Sequence, residues 1–178
     1  MNEGAVPEFR AFPKIPRFAK EIVITEKIDG TNAQVFVGED GTIRAGSRRR
    51  WITPEEDNFG FAAWVRENAD ELRELGPGRH FGEWWGHKIQ RGYGLTERRF
   101  SLFNVDRETV PMCCYVVPVL YRGEFYTTAI EGAMHRLERL GSRAEPGFDN
   151  PEGVIVCHAS GAKFKQTFND EHKEAAWG

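Results

Sequence analysis

Short apolar runs bounded by glycine-containing turns dominate this 178-residue chain, and only two stretches carry helical periodicity. Strands are predicted at Glu21–Ile28, Ala33–Val37 and Thr42–Ala45, the last two joined through Gly38-Glu39-Asp40-Gly41, a hairpin signal. Further strands are predicted at His80–Trp85, Phe100–Val105, Cys114–Leu120, Val154–His158 and Ala162–Phe168. Thr53-Pro54-Glu55-Glu56 has the form of a helix start, with a capping hydroxyl, proline at the first helical position and acids in the first turn. Within residues 60–75, Phe61, Trp64, Val65, Ala69 and Leu72 share one helical face, and Gly76-Pro77-Gly78 ends the run. A second, amphipathic helix is predicted from Thr127 or Thr128 to Leu140, closed by Gly141. Strands and helices do not alternate regularly, so the pattern predicts an α+β fold with largely antiparallel sheets flanked by helices. Residues 1–20, with Pro7, Pro13 and Pro16, read as an irregular lead-in, and no repeat or linker divides the chain, so 1–178 is expected to form one domain.

Charge and composition exclude several classes. A net charge of −3 is not that of a polycation that coats nucleic acid, so any polynucleotide surface must be a local patch. Arg48-Arg49-Arg50, Arg98-Arg99 and the group Lys14, Arg17 and Lys20 are the candidates. No apolar run approaches the roughly 18 residues that span a bilayer, and the first residues do not resemble a signal peptide, so a cytoplasmic protein without membrane contact is expected. Cys113, Cys114 and Cys157 include no CxxC pair, and His80 and His87 lack metal-ligand spacing, so reduced thiols and no zinc site are expected.

Chemistry enters where the first strand ends, at Glu26-Lys27-Ile28-Asp29-Gly30-Thr31-Asn32. An amine, a carboxylate and a flexible turn stand together there, although taken alone the motif is short and a solvated lysine is the bland alternative. Glu83 lies inside the aromatic, glycine-flanked run His80-Phe81-Gly82-Glu83-Trp84-Trp85-Gly86, and Glu152 opens the apolar run that follows Pro151. Lys163-Phe164-Lys165 puts two cations on one face of a strand, where they repel unless an anion sits between them; edge protection is the alternative. Together these suit lysine-dependent nucleotidyl transfer. A lysine must be neutral to attack phosphorus, and neighbouring positive charge from Lys163, Lys165 and a metal ion favours the uncharged form. The same charges stabilise the developing phosphate charge. Asp29 and Glu152 offer the hard oxygens that a hydrated Mg²⁺ prefers, and Gly30 lets the backbone turn tightly beside a nucleotide.

With these elements in order, the chain resembles the covalent nucleotidyltransferase superfamily of ATP-dependent ligases and capping enzymes, and within it the RNA ligase family. Lys27-Ile28-Asp29-Gly30 is similar to the signature lysine motif, extended by Thr31-Asn32 in the manner of RNA ligases, and the match runs over residues 20–166. The resemblance implies an ATP-grasp-like catalytic domain in which Lys27 attacks ATP and carries AMP. The AMP then passes to a 5′-phosphate end, and a 3′-hydroxyl displaces it to seal RNA or a nicked duplex, a chemistry of RNA repair. By the same resemblance Arg48 of Ser47-Arg48 contacts ribose and the 3′ end, Glu83 the ribose, and Phe103 stacks on adenine. Thr25 or Glu26 contacts adenine before the nucleophile, Asn32 joins the nucleotide site, and Lys163 and Lys165 bind phosphate. Asp29 and Glu152 assist the metal, through water. Trp51, Trp64 and Val65 are expected in the core, with Trp84 and Trp85 split between core and cleft wall.

Only 13 residues follow Lys165, where DNA ligases and capping enzymes append an OB-fold, so a bare catalytic domain without one is expected, and a partner chain could supply the polynucleotide clamp. With 26 residues before Lys27, the NAD-dependent ligases, which carry a cofactor-binding domain there, are not expected. A DNA ligase-type or GTP-using nucleotidyltransferase, and a non-catalytic module binding nucleotides or RNA ends, are the alternatives.

Overall fold

The computed structural model describes residues 8, 10–15 and 20–169. Pro7, Pro16 and Arg17 of the expected lead-in and its basic group lie outside the described residues. Among the described residues, ten strands form two sheets. One has four strands in the order β10-β9-β1-β8, built from β1 (Glu21–Lys27), β8 (Val119–Glu124), β9 (Gly153–His158) and β10 (Lys163–Thr167). The other has six in the order β4-β3-β2-β5-β6-β7, built from β2 (Thr31–Val37), β3 (Ile43–Ser47), β4 (Trp51–Ile52), β5 (Gly78–Gly86), β6 (Arg98–Leu102) and β7 (Cys114–Val116). All pairings are antiparallel except β6 with β7. The mixed α+β architecture with antiparallel sheets is therefore as the sequence predicts.

Each sheet buries one face. Helix α3 (Thr127–Leu140) lays Ala133, Met134 and Leu137 on Ile22, Ile24, Val154 and Val156 of the four-stranded sheet. Under the six-stranded sheet, Phe61, Ala62 and Val65 of α1 (Phe61–Glu67) and Leu72 of α2 (Ala69–Leu72) meet Ala33, Val35, Trp84 and Phe100. A third cluster, Ile28, Trp85, Tyr93 and Val117, sits directly behind the turn that joins β1 to β2. That turn is the junction between the sheets.

Three expectations are corrected. Thr53-Pro54-Glu55-Glu56 starts no helix: the Thr53 hydroxyl accepts the Glu56 N–H at 3.3 Å and closes one turn. Left-handed backbone at Phe59 (φ 51°) and Gly60 (φ 73°) then blocks continuation. The Asp57 carboxylate takes over the capping, accepting the Ala62 and Ala63 N–H groups at 2.8 and 3.0 Å. Secondly, Cys114–Leu120 is not one strand, because Pro118 cannot donate to a ladder. The chain leaves the six-stranded sheet after Val116 and joins the four-stranded sheet at Val119, stapling the two together. Thirdly, Trp51 is not a core residue but 41% exposed.

Candidate active site

Alternation along β1 sorts its residues. Ile22, Ile24 and Glu26 face α3 and the loop after it, while Val23, Thr25 and Lys27 face the space between the sheets. Lys27 Nζ donates to Glu152 Oε2 at 2.5 Å, the two side chains being 23% and 18% exposed. Glu152 stands at the mouth of β9, whose first residue pairs with Lys27 itself. Asp29, two residues on, is gripped twice. Its N–H donates to the Tyr93 hydroxyl at 2.8 Å, and its carboxylate accepts from Arg91 at 3.0 Å. Burial, reinforced by the neighbouring Glu152 charge, pushes the Asp29 carboxyl up, against the opposing pull of Arg91 and Lys27.

Gly30 closes this turn for a reason of space rather than backbone conformation. A Cβ there would stand 2.5 Å from the Trp84 carbonyl oxygen and 2.7 Å from Trp85 Cβ. The β1–β2 turn therefore lies hard against β5, which brings Glu83 in beside Lys27. Glu83 is 8% exposed and accepts from Asn32 Nδ2 at 3.0 Å across the β2–β5 pair. Burial raises its carboxyl to about 7, with Lys27 and the Asn32 hydrogen bond holding it down.

Beside this cluster opens a cleft of about 800 Å³, lined by Thr25, Asn32, Arg48, Phe103 and Lys163 among others. Lys163 and Lys165 stand opposite Cys157 and Ile155, which in turn stand opposite Val23 and Thr25, so both lysines share the cleft-side face of β1. Phe103 follows β6, with its N–H donating to the Phe81 carbonyl at 2.9 Å, and the residue is 38% exposed. Arg48 is exposed at the rim, on a turn held by the Ser47 hydroxyl, which accepts the Arg50 N–H at 3.3 Å.

Glu26 is brought elsewhere. It is 1% exposed, and its carboxylate accepts from the Ser142 hydroxyl at 2.6 Å and the Arg143 and Ala144 N–H groups at 2.7 and 3.0 Å. Strand alternation turns it from the cleft, and its side chain caps the turn after α3 instead. Replacing it strands one buried and two partly buried donors, so Glu26→Ala is expected to destabilise the fold by about 3 kcal/mol. Denaturant unfolding checks this, and an unchanged midpoint would mean that these three hydrogen bonds add nothing to stability.

Nothing in the sequence marks Arg91 or Tyr93 as partners of Asp29. They lie on the loop after β5, 62 and 64 residues from Asp29, with Tyr93 itself in left-handed backbone at φ 53°. No spacing or motif signals such a contact; only the glycines Gly92 and Gly94 hint at a tight loop there.

For a divalent cation, the donor chemistry fits. Asp29 and Glu152 are two partly buried carboxylates, and the Glu152 charge raises the proton affinity of Asp29. No group of three or more His, Cys, Asp or Glu with ligand geometry occurs among the described residues, so water and phosphate oxygens would complete the shell, as Mg²⁺ tolerates.

Comparisons with known proteins bear on the family and the fold. Residues 20–170 match a family model described as RNA ligase. Among solved structures, a glutamate-to-alanine mutant of Naegleria gruberi RNA ligase with ATP and Mn is similar at a TM-score of 0.63 and 20% identity, over 87% of this chain and 52% of that one. A lysine-to-alanine mutant with ATP and Mn gives 0.61 and 19%, over 83% and 49%. An apo mutant of the same ligase gives 0.58 and 20%, over 83% and 49%. The chain thus spans about half the length of the solved structures it matches. No curated protein matches it.

Proposed function

The chain belongs to the RNA ligase family, and from that premise we propose that it is an ATP-dependent RNA ligase that adenylylates itself on Lys27. The observation that carries this reading is the convergence of Lys27, Asp29, Glu83 and Glu152 at the junction of two sheets, beside a cleft lined by Phe103 and Lys163. Lys27 Nζ attacks the α-phosphorus of ATP. A P–N bond forms, the bond to the bridging oxygen breaks, and pyrophosphate leaves. The AMP then moves to a 5′-phosphate RNA end, and a 3′-hydroxyl displaces it as the strand is joined.

In this reading Phe103 stacks on the adenine, a contact worth about 1–3 kcal/mol. Thr25 borders the base, Asn32 and Glu83 face the ribose, and Lys163 and Lys165 neutralise phosphate charge. Arg48 at the rim meets the RNA 3′ end. Asp29 and Glu152 would hold a hydrated Mg²⁺, which when bound supplies positive charge to the transferring phosphate. Arg91 and Tyr93 keep Asp29 in place for that task.

Incubation with labelled ATP, GTP or NAD tests the reading. A covalent label from ATP alone, with an intact mass heavier by one AMP, is the expected result. Labelling by GTP alone, or no adduct with ATP and Mg²⁺ present, would reject it.

A further inference from the structure

The six-stranded sheet extends beyond the cleft, and the face that borders it stays open there. On that face β5, β2, β3 and β4 align Phe81, Gln34, Gly46 and Trp51 in one cross-strand row, and Arg79, Phe36 and Arg44 in the next. The opposite face of the same strands is core. Large rings are expensive to leave in water, yet Phe81 is 52% and Trp51 41% exposed.

Their setting is built. Trp51 lies down against Gly46, where a Cβ would come within 3.1 Å of its Cε3. Phe36 meets the Trp51 ring edge to face, with centroids 6.0 Å apart. The Arg79 guanidinium stands 5.1 Å from the Trp51 ring centre and 5.7 Å from that of Phe36, fixed by a 3.0 Å hydrogen bond to Gln34 Oε1. Among the described residues of these four strands, the carboxylate on this face is Glu83, buried at its inner end. Arg79 and Phe81 also line the cleft, next to Phe103.

We propose that this strip seats the unpaired end of an RNA strand, with bases stacked on Phe81 and Trp51 and phosphates beside Arg79 and Arg44. Exposed rings interleaved with guanidinium groups complement a chain of planar bases on a polyanionic backbone. Bases in a duplex are already stacked on one another and cannot lie on a protein ring, whereas splayed single-stranded bases can. The inference rests on the ligase reading, and names the substrate it favours: single-stranded ends over a continuous duplex.

Fluorescence anisotropy with a short labelled single-stranded RNA and its blunt duplex, at fixed salt, tests this. The single strand is expected to bind more tightly than the duplex. Trp51→Ala and Phe81→Ala should each weaken that binding about tenfold, while Phe164→Ala, 61% exposed on the other sheet, should not. Trp51→Ala should take label from ATP at the wild-type rate, since Trp51 does not line the cleft. Undiminished RNA binding in both variants, tighter duplex binding, or an equal loss in Phe164→Ala overturns the strip. Wild-type protein that takes no label from ATP yet loses RNA on Trp51→Ala would sink the ligase reading and leave the strip standing.

Discussion

Lys27→Ala abolishes the covalent AMP adduct, and Lys27→Arg abolishes it equally; these are the expected results, and the pair says more than either alone. Alanine removes the nucleophile together with the charge that Glu152 contacts at 2.5 Å. Asp29 and Glu152 then face each other with less compensation, so loss of adduct in that variant has two possible causes. Arginine keeps a permanent cation beside Glu152 but cannot give up its proton in a protein. It therefore preserves the electrostatics and removes only the capacity to attack phosphorus. Intact mass after incubation with ATP and Mg²⁺ reads the outcome, with thermal unfolding as the control for structure. The Lys27 and Glu152 side chains are only 23% and 18% exposed, so the alanine variant should lose more than the roughly 1 kcal/mol of a surface ion pair, whereas the arginine variant keeps a cation there and should unfold close to the wild type. An AMP adduct surviving in the arginine variant would assign the chemistry to another residue.

Much of this site was legible because its members are local or strand-periodic. Lys27 and Asp29 lie in one turn, and Lys163 and Lys165 share a face through the period of two that any strand imposes. The same periodicity, applied along β1, separates Glu26 from Lys27, yet a resemblance that carries residues over by position does not see which way a side chain points. Such a resemblance offers Glu26 beside Thr25 for the nucleotide, whereas the partners of Glu26 are Ser142, Arg143 and Ala144. The switch of sheets at Pro118 follows from a missing donor and was readable in principle. Trp51 was not: a large ring at the end of an arginine run reads as core unless one knows that Gly46 lies beneath it on a neighbouring strand. Nor was the Arg91–Asp29 pair, which exists only because a strained loop folds back under the β1–β2 turn. What a sequence loses is the long-range register that decides which charges meet.

Glu83 offers a measurement on the free protein that needs no substrate. Its carboxyl is pushed from an ordinary value of 4.5 to about 7, chiefly by burial. Between those values the folded protein keeps a proton that the unfolded chain has released. The Glu83 contribution to stability is therefore whole below about pH 4.5, declines as pH rises, and levels off above about 7. At roughly 1.4 kcal/mol per unit, the decline amounts to about 3 kcal/mol. Glu83→Gln keeps an oxygen to accept from Asn32 Nδ2 but has nothing to ionise. Denaturant unfolding at several values between pH 5 and 8 should show the variant level where the wild type declines, so that it is the more stable protein at pH 8. Parallel curves would mean that Glu83 ionises as an ordinary surface carboxylate. Lys27 extends the test, because its charge is the largest influence holding Glu83 down. Lys27→Arg should leave the wild-type curve where it is, whereas Lys27→Ala should carry the declining limb to higher pH. Superimposed curves for wild type and Lys27→Ala would place the ammonium too far from Glu83 for the two to act on one nucleotide.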